Sequence, residues 1–149
     1  MFKRIIIRSK EDIDLVNVDN PFAIISISDP DDRVSPEITS RAKRCLFLKF
    51  LDTDLTKFTA GENLLPRCFN EKLGKSVGEF ITLVLNDEIR TLLIHCEVGI
   101  SRSPSIAMAI CDAFELSREI MDWRFNIHSK PLNQHVYNIT HRCLTDGKT

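Results

Sequence analysis

The chain has 149 residues, 43% of them apolar and 28% charged, and a formal net charge of -1. That length suits one domain with a single core and is short for two. The near-zero charge gives no electrostatic case for nucleic acid or an anionic membrane surface as a partner. At the start, Met1-Phe2-Lys3-Arg4 is followed by only Ile5-Ile6-Ile7 before Arg8, too short an apolar stretch for the core of a signal peptide. No later run approaches the roughly 18 apolar residues of a membrane span. The expectation is a cytoplasmic chain, monomeric by default, with no membrane partner. Its five cysteines (Cys45, Cys68, Cys96, Cys111 and Cys143) are odd in number and lack Cys-x-x-Cys spacing, so neither a disulfide framework nor a zinc ribbon is indicated.

No internal repeat, low-complexity segment or linker interrupts the chain, which reads as a single domain over residues 1–149. Phe2 to Arg8 predicts a first strand and Phe22 to Ser28 a second, with Ser9-Lys10-Glu11-Asp12 opening a short helix between them in capping-box style. After an acidic loop from Asp29 to Pro36, Cys45 to Leu51 predicts a third strand, ended by the polar stretch Asp52-Thr53-Asp54. Ser76 to Leu85 carries Val77, Phe80, Ile81, Val84 and Leu85 at helical spacing. Thr91 to Ile94 is a short apolar run of the kind buried in parallel sheets. Helices are then expected over Pro104 to Phe114, Ser117 to Asn126 and Asn133 to Cys143, with Lys130-Pro131 breaking the chain between the last two. Strand, helix and strand in this order predict an α/β fold.

The segment His95-Cys96-Glu97-Val98-Gly99-Ile100-Ser101-Arg102-Ser103-Pro104 joins the last predicted strand to the following helix. With five cysteines and eleven arginines, a bare Cys-x5-Arg spacing arises by chance about 0.4 times in such a chain, so alone it decides nothing. A His before the Cys, a Gly three residues after it and a Ser after the Arg lower that expectation to the order of one in ten thousand. Ser103 suits an N-cap and Pro104 the first helical position, while Ile106, Ala109, Ile110, Ala113 and Phe114 line one face of the helix.

Such a loop suits phosphate. Backbone N–H groups of Glu97, Val98, Gly99, Ile100, Ser101 and Arg102 are able to curl round one anion at the positive end of a helix. The Arg102 guanidinium would add a two-pronged contact that a lysine ammonium does not match. The same surroundings favour a thiolate at Cys96, a ready nucleophile. Gly99 supplies the torsion or close approach that a tight anion loop requires. The Ser103 hydroxyl is placed to donate to the sulfur, stabilising it both as thiolate and as leaving group.

These residues resemble the signature loop of the protein tyrosine phosphatase superfamily, and the form His-Cys-x-x-Gly-x-Ser-Arg-Ser is similar to its dual-specificity branch. The resemblance extends more loosely from about Leu46 to Asn138. It implies a three-layer α/β fold with a mostly parallel sheet of four to five strands flanked by helices. The activity it implies is hydrolysis of phosphotyrosine in phosphorylated proteins through a phosphocysteine intermediate, without metal or cofactor. A shallow pocket would also admit phosphoserine and phosphothreonine. The variable loop positions lack the lysines that phosphoinositide-directed members tend to carry, which disfavours a multiply phosphorylated lipid headgroup.

Cleaving a phosphate ester requires a proton for the departing oxygen. In the resembling branch an aspartate on the loop after the third strand supplies it. Asp52 falls there, with Asp54 as the alternative and Asp29, Asp31 and Asp32 as more distant candidates; Asp87 reads as solvated surface. The tryptophan that accompanies the acid in the large classical tyrosine phosphatases is absent, which implies a shorter, more open site.

The remaining cysteines read as core residues. His95 reads as a neighbour-bonded residue that orients the loop; His128, His135 and His141 have no ligand-like grouping, and Trp123 and Phe125 read as core on the penultimate helix. Two other functions share a cysteine set in an anion loop. One is a rhodanese or arsenate-reductase type of enzyme, against which the Ser-Arg-Ser ending argues. The other is a catalytically silent phosphate-binding module, which would need the acid or the loop to be misplaced.

Overall fold

The computed structural model describes residues 1–146. Five strands, β1 (Arg4–Ser9), β2 (Ala23–Ser28), β3 (Arg44–Lys49), β4 (Thr91–Cys96) and the two-residue β5 (Met121–Asp122), form one sheet in the order β3-β2-β4-β1-β5. Every pairing is parallel. Parallel strands covered on both faces must be apolar at successive positions, and the runs Ile5-Ile6-Ile7, Ala23-Ile24-Ile25 and Leu92-Leu93-Ile94 satisfy this.

The two faces bury different partners. Ile5, Ile7, Ile25, Leu92 and Ile94 face a large core shared with α2 (Glu71–Asn86), α3 (Arg102–Ala113) and α4 (Gln134–Thr145). Ile6, Ile24 and Leu93 face the opposite way, onto Ile13 of the short α1 (Lys10–Ile13) and Ile38 of a 3-10 turn over Glu37–Arg41. The result is the expected three-layer α/β architecture, with a sheet that is wholly parallel.

Local signals explain most boundaries. Ser9 caps α1 by accepting from the Asp12 N–H, and Asn70 caps α2 by accepting from Leu73. On α2 the buried positions Gly74, Val77, Phe80, Ile81 and Val84 follow helical spacing. At Gly74 any Cβ would lie 2.7 Å from Ile139 and 2.8 Å from the Cys143 sulfur, so the glycine sets how closely α2 approaches α4. Nearly every residue of α3 is buried, consistent with a central helix packed against both the sheet and α4.

Three expectations differ from what is observed. Ser117 to Asn126 is not a helix: Ser117 caps a 3-10 turn over Arg118–Ile120, and the chain then enters β5, where Met121 and Asp122 pair with Ile5 and Ile6. Trp123 therefore lies beyond a sheet-edge strand and not on a helix. The helix α3 starts at Arg102 with Ser101 as the capping position, two residues earlier than the sequence suggests. Pro104 remains compatible there, because the first four N–H groups of a helix have no intrahelical acceptor. The third strand ends at Lys49, and Leu51 makes a separate bridge to Cys68.

The chain leaves β1 for β2, which sits beyond β4, and later crosses from β4 to β5 beyond β1. In open parallel sheets, ligands bind beyond the carboxyl ends of strands where the winding reverses. At that end stand Ser9 after β1, Asp29 after β2, Asp52 after β3 and Cys96 at the end of β4.

Candidate active site

Cys96, 2% exposed, closes β4, and residues 97 to 101 turn the chain into α3. The turn is tight enough that the Gly99 N–H points back at the Cys96 sulfur at 3.2 Å. Gly99 has φ +79°, and a Cβ there would lie 2.7 Å from the Arg8 carbonyl carbon and the Ser9 nitrogen. Both the torsion and the contact require glycine. Two contacts hold the loop from outside. The Lys10 N–H donates to the Glu97 carbonyl at 3.2 Å, and the Trp123 indole N–H donates to the Gly99 carbonyl at 2.8 Å.

The Ser103 hydroxyl, fully buried in the first turn of α3, lies 3.0 Å from the Cys96 sulfur. Burial pushes Cys111 up to about 12 and Cys45 up to about 11, so both stay protonated at neutral pH. All five cysteines are free.

Arg102 is the first residue of α3 and its side chain is 6% exposed. Nη1 donates to the Phe50 carbonyl and to Asp29 Oδ1, both at 2.8 Å. The guanidinium carbon stands 5.9 Å from the centroid of the Phe50 ring. Nε is buried and has no partner among the described residues. A buried guanidinium N–H left unpaired carries a desolvation cost that an anion in the loop would remove.

Asp52 and Asp54, two residues apart, have different surroundings. Asp52 Oδ1 accepts from the Ser101 hydroxyl and from Asn133 Nδ2, each at 2.8 Å, so this carboxylate stands at the rim of the loop. Asp54 is buried at the start of α4, accepting from the Thr56 N–H and hydroxyl and from the N–H groups of Gln134 and His135. Burial alone would raise its carboxyl, but these four donors outweigh that and hold it below the ordinary range. Asp54 thus ties its segment to a helix N-terminus while Asp52 reaches the loop.

Glu97 and Val98 are exposed on the loop's outer side, and Ile100 and Ser101 are half-buried. His95 Nε2 lies 2.6 Å from the Ser26 hydroxyl on β2, and burial lowers its imidazole to about 4, so it is neutral at physiological pH. Among the described residues no group of three or more His, Cys, Asp or Glu gathers to hold a metal.

Three contributors escaped the sequence reading. Asn133 was legible as a helix start, since it caps α4 by accepting from Val136, but not as a donor to Asp52. Trp123 gives only a packing signal in the sequence, and Asp29, a more distant candidate for the acid, contacts Arg102.

No protein-family model matches the chain, and no curated protein does. Among solved structures it is similar to the crystal structure of a human tyrosine phosphatase-like serine/threonine/tyrosine-interacting protein. The identity is 22% and the TM-score 0.50, over 80% of this chain and 74% of that one. The chain has a tyrosine phosphatase-like fold.

Proposed function

We propose that the protein is a cysteine-dependent phosphatase of the dual-specificity type, acting on phosphotyrosine in phosphorylated proteins, with phosphoserine and phosphothreonine as further substrates. The observation that carries this reading is one constellation. The Cys96 sulfur stands between the Gly99 N–H and the Ser103 hydroxyl, in a loop that leads into a buried arginine whose Nε has no partner among the described residues.

The reaction would run in two displacements. Cys96 Sγ attacks phosphorus while the ester P–O bond breaks, and the departing oxygen takes a proton from Asp52. Water then attacks the phosphocysteine as Asp52 takes a proton from it, and the S–P bond breaks with the Ser103 hydroxyl donating to the emerging sulfur. Arg102 and the loop N–H groups bind the phosphoryl oxygens throughout, where negative charge collects in the transition state. Asp52 is preferred to Asp54 because it meets the loop through Ser101, whereas Asp54 is consumed by four donors around the start of α4. No cofactor enters this scheme. On this reading the substrate is a phosphorylated protein and the enzyme is cytoplasmic and monomeric, and a net charge of -1 gives no electrostatic case for nucleic acid or an anionic membrane as partner. No helix among the described residues is long and apolar enough to cross a membrane.

Hydrolysis of para-nitrophenyl phosphate in the presence of chelator tests the reading. The wild type should turn over and Cys96→Ser should not, while still binding inorganic phosphate. Phosphate binding without any turnover by the wild type would instead make the chain a silent phosphate-binding module, and neither property would leave the rhodanese or arsenate-reductase type of chemistry.

A further inference from the structure

We propose that Asp29 is a positioning residue that, with the Phe50 carbonyl, aims the Arg102 guanidinium at the phosphate site; this rests on the phosphatase reading of the Cys96 loop. The two acceptors of Nη1 come from the ends of neighbouring strands. Ser28 pairs with Lys49 in the parallel register of β2 and β3, so Asp29 and Phe50 are the next residues out on each strand. The Phe50 N–H donates to the Ser28 carbonyl at 3.2 Å, which keeps the two strand ends together. The Asp29 backbone is anchored in turn, its carbonyl accepting from the Asp32 N–H at 3.0 Å. Sheet register thus builds a fixed socket for one nitrogen of the guanidinium, and the planar group can then present Nε in one direction only.

Two physical effects at Asp29 oppose each other, which makes the inference decidable. A carboxylate close to an anion site repels the anion, so removing its charge should tighten phosphate binding if electrostatics dominates. If aiming dominates, removing it should weaken binding. Asp29 is 53% exposed, so solvent screens the repulsion, whereas the arginine it holds is buried and has lost the solvent that would otherwise stabilise alternative orientations. The buried, unpaired Nε points the same way: the guanidinium has been fixed at one nitrogen so that another is kept for a ligand.

The test measures protection of Cys96 from iodoacetamide by inorganic phosphate, beside kcat and KM for para-nitrophenyl phosphate, in the wild type, Asp29→Ala, Asp29→Asn and Asp29→Glu. Asp29→Ala should weaken phosphate protection roughly tenfold, the loss of one charge-assisted hydrogen bond. Asp29→Asn should fall between it and the wild type, since the amide oxygen can still accept from Nη1. Asp29→Glu should recover part of the loss, and all the variants should melt near the wild-type temperature. Unchanged or tighter phosphate binding in both Asp29→Ala and Asp29→Asn would overturn the inference and make the carboxylate a competitor for the arginine. The two readouts separate failures: a wild type that binds phosphate without turnover refutes the phosphatase and leaves the Asp29 comparison decisive. A wild type that does not bind phosphate refutes both.

Discussion

Asn133 Nδ2 donates to Asp52 Oδ1 at 2.8 Å while Asn133 Oδ1 accepts from the Val136 N–H, so one side chain both caps α4 and holds the proposed acid. Ser101 reaches the same carboxylate oxygen from the loop, and its own carbonyl accepts from the Ser105 hydroxyl in α3. The proposed acid is therefore attached to the start of two helices.

Asp52→Asn should lower kcat/KM for a phosphotyrosine peptide by about 100-fold or more, the usual worth of a positioned general acid. The loss in kcat/KM, which reports the first displacement alone, should be much smaller for para-nitrophenyl phosphate, whose leaving group departs without a proton. Asp54→Asn should show the opposite signature, a stability loss of roughly 1–3 kcal/mol from disrupting a buried carboxylate with four donors, and little dependence on leaving group. Kinetics with both substrates and urea unfolding of both variants check the assignment. An equal response of Asp54→Asn and Asp52→Asn to the leaving group would count against it.

Asn133→Ala should cost about 1 kcal/mol of stability through the lost cap. It should also reduce kcat for the phosphotyrosine peptide more than KM changes, because Asp52 is left with Ser101 alone. Unfolding and steady-state kinetics on the same preparation separate the two effects.

Gly99→Ala places a Cβ against the Arg8 and Ser9 backbone and a non-glycine residue at positive φ. The torsion costs about 1–2 kcal/mol, and the contact displaces the loop. A displacement near 1 Å should lower kcat/KM about 100-fold. A variant with wild-type kcat/KM would show that the loop tolerates the change.

The His95 imidazole should impose an acid limit on stability. Its ordinary value is 6.5 and burial lowers it to about 4 in the folded chain, so the unfolded chain takes up a proton first. Stability is then complete above pH 6.5 and declines as pH falls towards 4, by roughly 3 kcal/mol in total. Asp54, whose carboxyl is held below 3.8, contributes its own loss at lower pH. Urea unfolding between pH 4 and 7 should show the slope in the wild type and a flatter profile in His95→Asn.

How much of this was legible in the sequence follows the range of the interactions. The strands were readable because Ile5-Ile6-Ile7 and Leu92-Leu93-Ile94 must be apolar to serve two faces, and the loop because Cys96, Gly99, Arg102 and Ser103 are adjacent in the chain. The 117–126 segment misled because its apolar residues suit a helix, yet Met121 pairs with Ile5 across the sheet edge and the Trp123 indole is drawn to the Gly99 carbonyl. Tertiary contacts outweighed local preference there. Asp52 and Asp54 could not be told apart by spacing, since what separates them is α4, about 80 residues on in the sequence. Asp29 and Arg102 meet only through the register of β2 on β3, which no local pattern encodes.

On the phosphatase reading, Cys96 itself takes up the phosphoryl group. Acid-quenching the wild type and Asp52→Asn within the first turnovers of para-nitrophenyl phosphate, followed by mass spectrometry of the peptide containing Cys96, tests it directly. The expected product is a peptide heavier by one phosphoryl group, more abundant in Asp52→Asn because the second displacement lacks its base. Steady hydrolysis with that peptide unmodified in both proteins, or hydrolysis that persists in Cys96→Ser, would contradict it.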